Sequence, residues 1–125
     1  MTEDEISFQV VGAAIEVHRT LGLGLLESIY EAALAQELTA RGMRVEKQKA
    51  VPVSYKGSDL GLGFRLDLLV NDSVVAEIKA VEKLLPVHHV QLLSYLKLTG
   101  KRLGLLINFN VAVMKSGIKR VVNKL

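Results

Sequence analysis

Phe64-Arg65-Leu66-Asp67-Leu68-Leu69-Val70, then Asn71-Asp72-Ser73, then Val74-Val75-Ala76-Glu77-Ile78-Lys79 is the stretch whose reading decides the fold. Read with a period of two, Phe64, Leu66, Leu68 and Val70 share one face of a strand. Val74, Ala76, Ile78 and Ala80 do the same on the next, and Asn71-Asp72-Ser73 between them is turn chemistry. A three-residue loop sets Val70 opposite Val74, Leu68 opposite Ala76, Leu66 opposite Ile78, and Asp67 opposite Glu77. A two-residue loop would set apolar residues against polar ones, so the hydrophobic pattern chooses the register.

That register has a chemical consequence. Directly opposed residues in an antiparallel pair have Cβ atoms roughly 4.5–5.5 Å apart. Asp67 and Glu77 are therefore expected to stand side by side as like charges, with Lys79 two residues along the same face. Facing carboxylates repel, and a divalent cation removes the conflict. Mg²⁺ takes oxygen ligands, typically one or two carboxylates with water and substrate phosphate. The plain alternative is a solvated hairpin face on which Lys79 and Arg65 balance the acids.

The rest of the chain limits the setting. Its 125 residues fit one domain, residues 1–125, large enough to bury a core. Half of the residues are hydrophobic but only 5% are aromatic, so that core is aliphatic. The absence of cysteine excludes disulfides and thiolate metal sites and fits a reducing compartment. No apolar run reaches about 18 residues and the acidic N-terminus is no signal peptide, so a cytoplasmic protein without a membrane partner is expected. The net charge of +3 is a mild bias towards anionic partners. Lys97, Lys101, Arg102, Lys115, Lys119, Arg120 and Lys124 crowd the last third, either as a phosphate-facing surface or as ordinary solubility charge.

Taken in order, Thr2 to Glu5 has the form of a capping box, opening a helix whose stripe is Phe8, Val11, Ile15 and His18 and which stops near Leu21-Gly22. His18 fits a hydrogen-bonded helix-end residue better than a ligand. A second helix is predicted from about Leu25 to Arg41, ending at Gly42. Glu27, Tyr30, Leu34 and Leu38 follow one line on it. Glu27 is either a first-turn acid complementing the helix dipole or a third acidic ligand projected towards the sheet. Val45 to Tyr55 reads as a strand kinked at Pro52, and Leu60 to Val70 as the next, with Gly61 and Gly63 marking a bend or a close backbone approach. Pro86 opens a helix running to about Leu98. Gln91 and Tyr95 share a face of it, as functional groups or as a polar rim. His88 and His89 point apart and make poor co-ligands. Leu103 to Phe109 reads as a strand covered on both faces, and residues 117–124 as a short strand or helical turn. The expected class is α/β (α+β), with a central mixed sheet, an antiparallel meander and helices on both sides.

This order, with Asp67 followed by Glu77-Ile78-Lys79, resembles the PD-(D/E)xK nuclease superfamily. Gly24-Leu25-Leu26-Glu27-Ser28-Ile29-Tyr30 is similar to the motif that names the GxxExxY protein family, a compact branch of that superfamily. His18, Phe64-Arg65, the His88/Gln91/Tyr95 pattern and Leu105 to Asn110 look like the same family, and the likeness covers nearly the whole chain.

The resemblance implies a restriction-endonuclease-like core and a metal-dependent nuclease acting on nucleic acid, DNA foremost. Asp67, Glu77 and the Ile78 carbonyl would hold Mg²⁺ or Mn²⁺, with Glu27 as the additional acid. Lys79 would deprotonate or orient the attacking water, or act as an electrostatic support. Gln91 would help to position the nucleophile, while Tyr95, Tyr30, Arg65 and His18 would face the nucleic acid. Two other classes remain open: a non-catalytic nucleic-acid-binding module, and an interaction subunit that pairs with a partner or as a homodimer.

Overall fold

A computed structural model covering residues 1–125 runs α1 (Glu3–Leu21), α2 (Glu27–Ala40), β1 (Val45–Tyr55), β2 (Ser58–Val70), β3 (Val74–Lys79), α3 (Pro86–Thr99), β4 (Leu103–Asn108) and β5 (Ile118–Val122). One sheet holds all five strands in the spatial order β1-β2-β3-β4-β5. β3 and β4 are parallel, and every other neighbouring pair is antiparallel. The mixed sheet with its antiparallel meander agrees with the expected α+β class. The parallel pair follows from chain length, since α3 and its flanking loops span the crossover that parallel strands require.

Local chemistry sets the element ends. The Thr2 hydroxyl accepts from the Glu5 N–H at 3.1 Å, and the Glu5 carboxylate accepts from the Thr2 N–H at 2.8 Å. That reciprocal cap satisfies two orphan amides of α1. Pro86 stands in the first turn of α3, and the His88 imidazole accepts from the Leu85 N–H at 3.0 Å. The ladder between β1 and β2 shifts register between Pro52 and Ser54, as the missing proline N–H requires.

Two apolar layers sandwich the sheet. α1 and α2 cover one face with Ile6, Val10, Tyr30 and Leu34 against Leu68, Val70, Ala76, Ile78 and Ile107. α3 covers the other with Leu92 and Leu96 against Leu66, Leu69, Val75 and Leu106. The α1 stripe differs from the expected one. Ile6, Val10, Ala13, Ala14 and Val17 are buried, whereas Phe8 is 76% exposed. Helical spacing is satisfied by both sets; the small residues at 13 and 14 let α1 approach the sheet closely, and that decides between them.

A second correction concerns β2. Phe64 and Leu66 do not share a face with Leu68 and Val70: they pack towards α3, while Leu68 and Val70 pack towards α1 and α2. The expected pairings of Asp67 with Glu77 and of Leu66 with Ile78 are likewise absent from the β2–β3 ladder, because it runs only from Val70↔Val74 to Leu68↔Ala76. The same point is a gap between β1 and β2, where Lys47↔Leu68 and Lys49↔Leu66 pair but Gln48 and Asp67 do not. Gln48 there adopts φ 51, a left-handed conformation that turns the alternation over. The reversal falls on Asp67.

Candidate functional site

Asp67 and Glu77 occupy the rung just beyond the last β2–β3 pair, where the strands part. Their side chains take over from the main-chain ladder. The Asp67 N–H donates to the Glu77 carboxylate at 2.8 Å, and the Ile78 N–H donates to the Asp67 carboxylate at 2.8 Å. Each acid thus fills the amide of the strand opposite it, and the two are held at one junction. Glu77 is 7% exposed and Asp67 is half-buried.

Burial of this pair has an electrostatic price. Desolvation and then the neighbouring Asp67 push the Glu77 carboxyl from its ordinary 4.5 up to about 8. Asp67 is raised as well, chiefly by burial, against the opposing pull of the Ile78 N–H. Lys79 lies two residues beyond Glu77 on β3, hence on the same strand face, and its charge favours ionisation of both acids. An all-oxygen pair that is reluctant to ionise alone suits a hard divalent cation. No three Asp, Glu or His side chains converge to cage a metal by themselves.

Glu27 begins α2, and its carboxylate accepts from the Ala80 N–H at 3.3 Å, just past the end of β3. It stands near the pair, bound to the main chain that follows Lys79. Gly24, at φ 89, makes the left-handed turn that aims α2 at this strand end. Tyr30, three residues after Glu27, is fully buried. Its hydroxyl donates to the Gly22 carbonyl at 2.6 Å and accepts from the Leu25 N–H at 3.2 Å, and its ring stacks on Phe109 at 4.6 Å. The expectation that Tyr30 meets nucleic acid is therefore corrected: it braces the loop that carries Glu27, because a large ring with both hydroxyl bonds satisfied is stable in the core.

His18 is also committed elsewhere, since its Nε2 donates to the Val111 carbonyl at 2.7 Å and ties α1 to the segment after β4. Tyr95 on α3 stacks on Phe64 of β2 with ring centroids 4.2 Å apart. Burial and the charges of Glu77 and Asp67 raise its phenol, so it lies within reach of the acids' field. Gln91 stands exposed one turn earlier on α3. Arg65 is exposed and donates to the Gln48 carbonyl at 3.1 Å.

Two residues in this neighbourhood escaped the sequence reading, and a third, Asn108, entered it only as part of the stretch Leu105 to Asn110. Gln48 donates to Glu31 at 2.8 Å and to Asp67 at 3.3 Å, bridging α2 to the pair. Glu31 is raised by burial and then by Asp67, and its spacing of four from Glu27 was the available signal. Asn108, 2% exposed, accepts from the Val81 N–H at 3.1 Å and donates to the Val81 carbonyl at 2.9 Å, pinning the chain that leaves Lys79. A polar residue ending an otherwise apolar strand pointed to it.

A family model of the PD-(D/E)XK nuclease superfamily matches residues 4–121. No curated protein and no solved structure matches the chain.

Proposed function

Because this chain belongs to the PD-(D/E)XK nuclease superfamily, we propose that it is a metal-dependent hydrolase of phosphodiester bonds, with DNA as its substrate. The observation that supports the reading best is the pair of buried, reciprocally held acids with Lys79 beside them. The two carboxylates fill main-chain amides at the junction, but a neutral amide side chain could do the same without burying two like charges side by side.

Asp67 and Glu77, with the Ile78 carbonyl, would hold Mg²⁺ or Mn²⁺, and Glu27 would reach the same ion through its waters. When bound, the cation supplies a water of lowered pKa and charge stabilisation on the phosphate. Lys79 orients that water and opposes the negative charge that grows on the phosphoryl oxygens. Tyr95, within reach of the acids' field, and Gln91, one turn earlier on α3, would place the scissile strand. Arg65, at the root of the β1–β2 ribbon, meets the adjoining backbone. The narrower likeness to the GxxExxY family rests on Gly24 to Tyr30, where the glycine turns the chain, the glutamate meets the end of β3 and the tyrosine locks the loop.

Calorimetric titration of Mn²⁺ into wild type and Asp67→Ala tests this proposal, alongside cleavage of plasmid DNA with Mg²⁺. Uptake by wild type alone, with cleavage, is the expected result. Failure of wild type to take up metal at millimolar levels, with an oligonucleotide present, overturns it.

A further inference from the structure

β1 and β2 extend well past the sheet. β3 pairs with β2 only at residues 68–70, so Lys49 to Leu66 pair with each other alone. None of residues 44–65 is buried. At about 3.3 Å per residue, the ribbon from Leu66 to the turn at Gly57 reaches about 30 Å from the acids. It is anchored at its root, where Phe64 stacks on Tyr95 and Val51 packs against the α3 layer.

The ribbon also concentrates charge. Lys47, Lys49, Lys56 and Arg65 stand against two acids, Glu46 and Asp59, over residues 46–65, a net charge of +2 out of the +3 of the whole chain. All four cations are exposed. Lys49 makes a 3.3 Å ion pair with Glu46, half exposed on both sides and hence weak; Lys47, Lys56 and Arg65 have no acidic partner. In the basic C-terminal third Lys101 is held by Asp72 and Arg120 by Asp4, while Lys97, Arg102, Lys115, Lys119 and Lys124 have no acidic partner but are spread over several elements. Lys49 and Arg65 lie on successive rungs and so on opposite faces of the ribbon. That suits an element lying between two phosphate walls.

We propose that the β1–β2 ribbon is the arm by which this protein grips B-form duplex DNA, laid into the major groove with Lys49, Lys56 and Arg65 on the phosphates. The assignment rests on the nuclease reading and names its substrate form. The B-DNA major groove, about 12 Å wide, admits a two-stranded ribbon, whereas the A-form RNA major groove is too deep and narrow. Glycines at 61 and 63 leave the ribbon's backbone bare beside Pro52, opening a groove of about 450 Å³ next to Arg65. The arm is continuous with the acid junction through Arg65-Leu66-Asp67, so a duplex held on it passes the candidate site.

Fluorescence anisotropy with a short labelled DNA duplex in EDTA tests the arm without any need for hydrolysis. Wild type is expected to bind with a steep salt dependence, and the duplex RNA of the same sequence to bind at least tenfold more weakly. Lys49→Ala/Lys56→Ala should lower affinity about tenfold and reduce the slope of log Kd against log salt by about two. Lys49→Arg/Lys56→Arg should restore both. Equal DNA binding by the alanine variant, or no preference for DNA over RNA, overturns the arm while leaving Mg²⁺-dependent cleavage to be judged separately. Lost binding in the alanine variant, with no cleavage by wild type, sustains the arm and sinks the hydrolase. Light scattering that shows a dimer dissolved by Leu62→Lys, with DNA binding unchanged, makes the ribbon a pairing surface and overturns the proposal.

Discussion

The main-chain N–H of Asp67 is held by the carboxylate of Glu77 at 2.8 Å, at the point where β2 and β3 stop pairing. A ladder bond is thereby exchanged for an acid side chain, and the acid is buried in doing so. Burial and the neighbouring Asp67 favour the protonated form of Glu77 in this arrangement.

The metal-free protein should therefore lose stability as pH rises. Glu77 is raised from 4.5 to about 8, so between those values the native state binds more protons than the unfolded chain, and ∂ΔG/∂pH is negative. The penalty is absent below about pH 4.5, grows through the window and is complete above about pH 8, amounting to a few kcal/mol. Thermal melts in EDTA should show wild type falling relative to Glu77→Gln across this range. Mn²⁺ should close the gap for wild type alone; parallel curves would show that Glu77 ionises freely.

Lys79→Ala and Glu77→Ala should each lower Mg²⁺-dependent DNA cleavage by about 10²–10³-fold or more, the scale of losing one preorganised charge. Lys79→Ala should retain Mn²⁺ binding by calorimetry, whereas Glu77→Ala should lose it. Circular dichroism checks that both fold. Full activity in Lys79→Ala would remove the lysine from the chemistry.

Tyr30→Phe removes one hydroxyl that serves both the Gly22 carbonyl and the Leu25 N–H. Stability should fall by about 1–3 kcal/mol in a denaturant titration, the scale of a buried partner left unmet. The ring still fills its place against Phe109, so the protein should remain folded. Cleavage should fall as well, through the loosened loop below Glu27.

Gly63→Ala probes the root of the ribbon. A Cβ there would stand 2.0 Å from the Val51 carbonyl oxygen, so the main chains of β1 and β2 must separate. Destabilisation of about 1–3 kcal/mol is expected, with weaker duplex binding in the anisotropy assay. The neighbouring Gly61→Ala meets no atom within 4 Å but is strained by φ 74, so its effect should follow backbone conformation rather than contact.

Much of this molecule follows from local rules. Val70 opposite Val74 and Leu68 opposite Ala76 were legible because a period of two allows only one register that keeps apolar side chains together. The Thr2–Glu5 box, Pro86 at the start of α3 and the kink at Pro52 were equally legible, since each is decided by residues a few positions apart. The placing of Glu77 and Lys79 on one face of β3 falls to the same kind of reading, through strand spacing. The turnover of β2 at Asp67 was not legible, because it depends on Gln48, nineteen residues away, taking a left-handed conformation across the ladder. Nor was the bridge from Gln48 to Glu31, the burial of Tyr30 or the reach of the ribbon, which depend on where α2 and α3 dock. Sequence periodicity fixes which residues neighbour each other along one element or across one tight turn. Tertiary packing alone decides which elements meet, because that choice minimises exposed apolar surface over the whole chain at once.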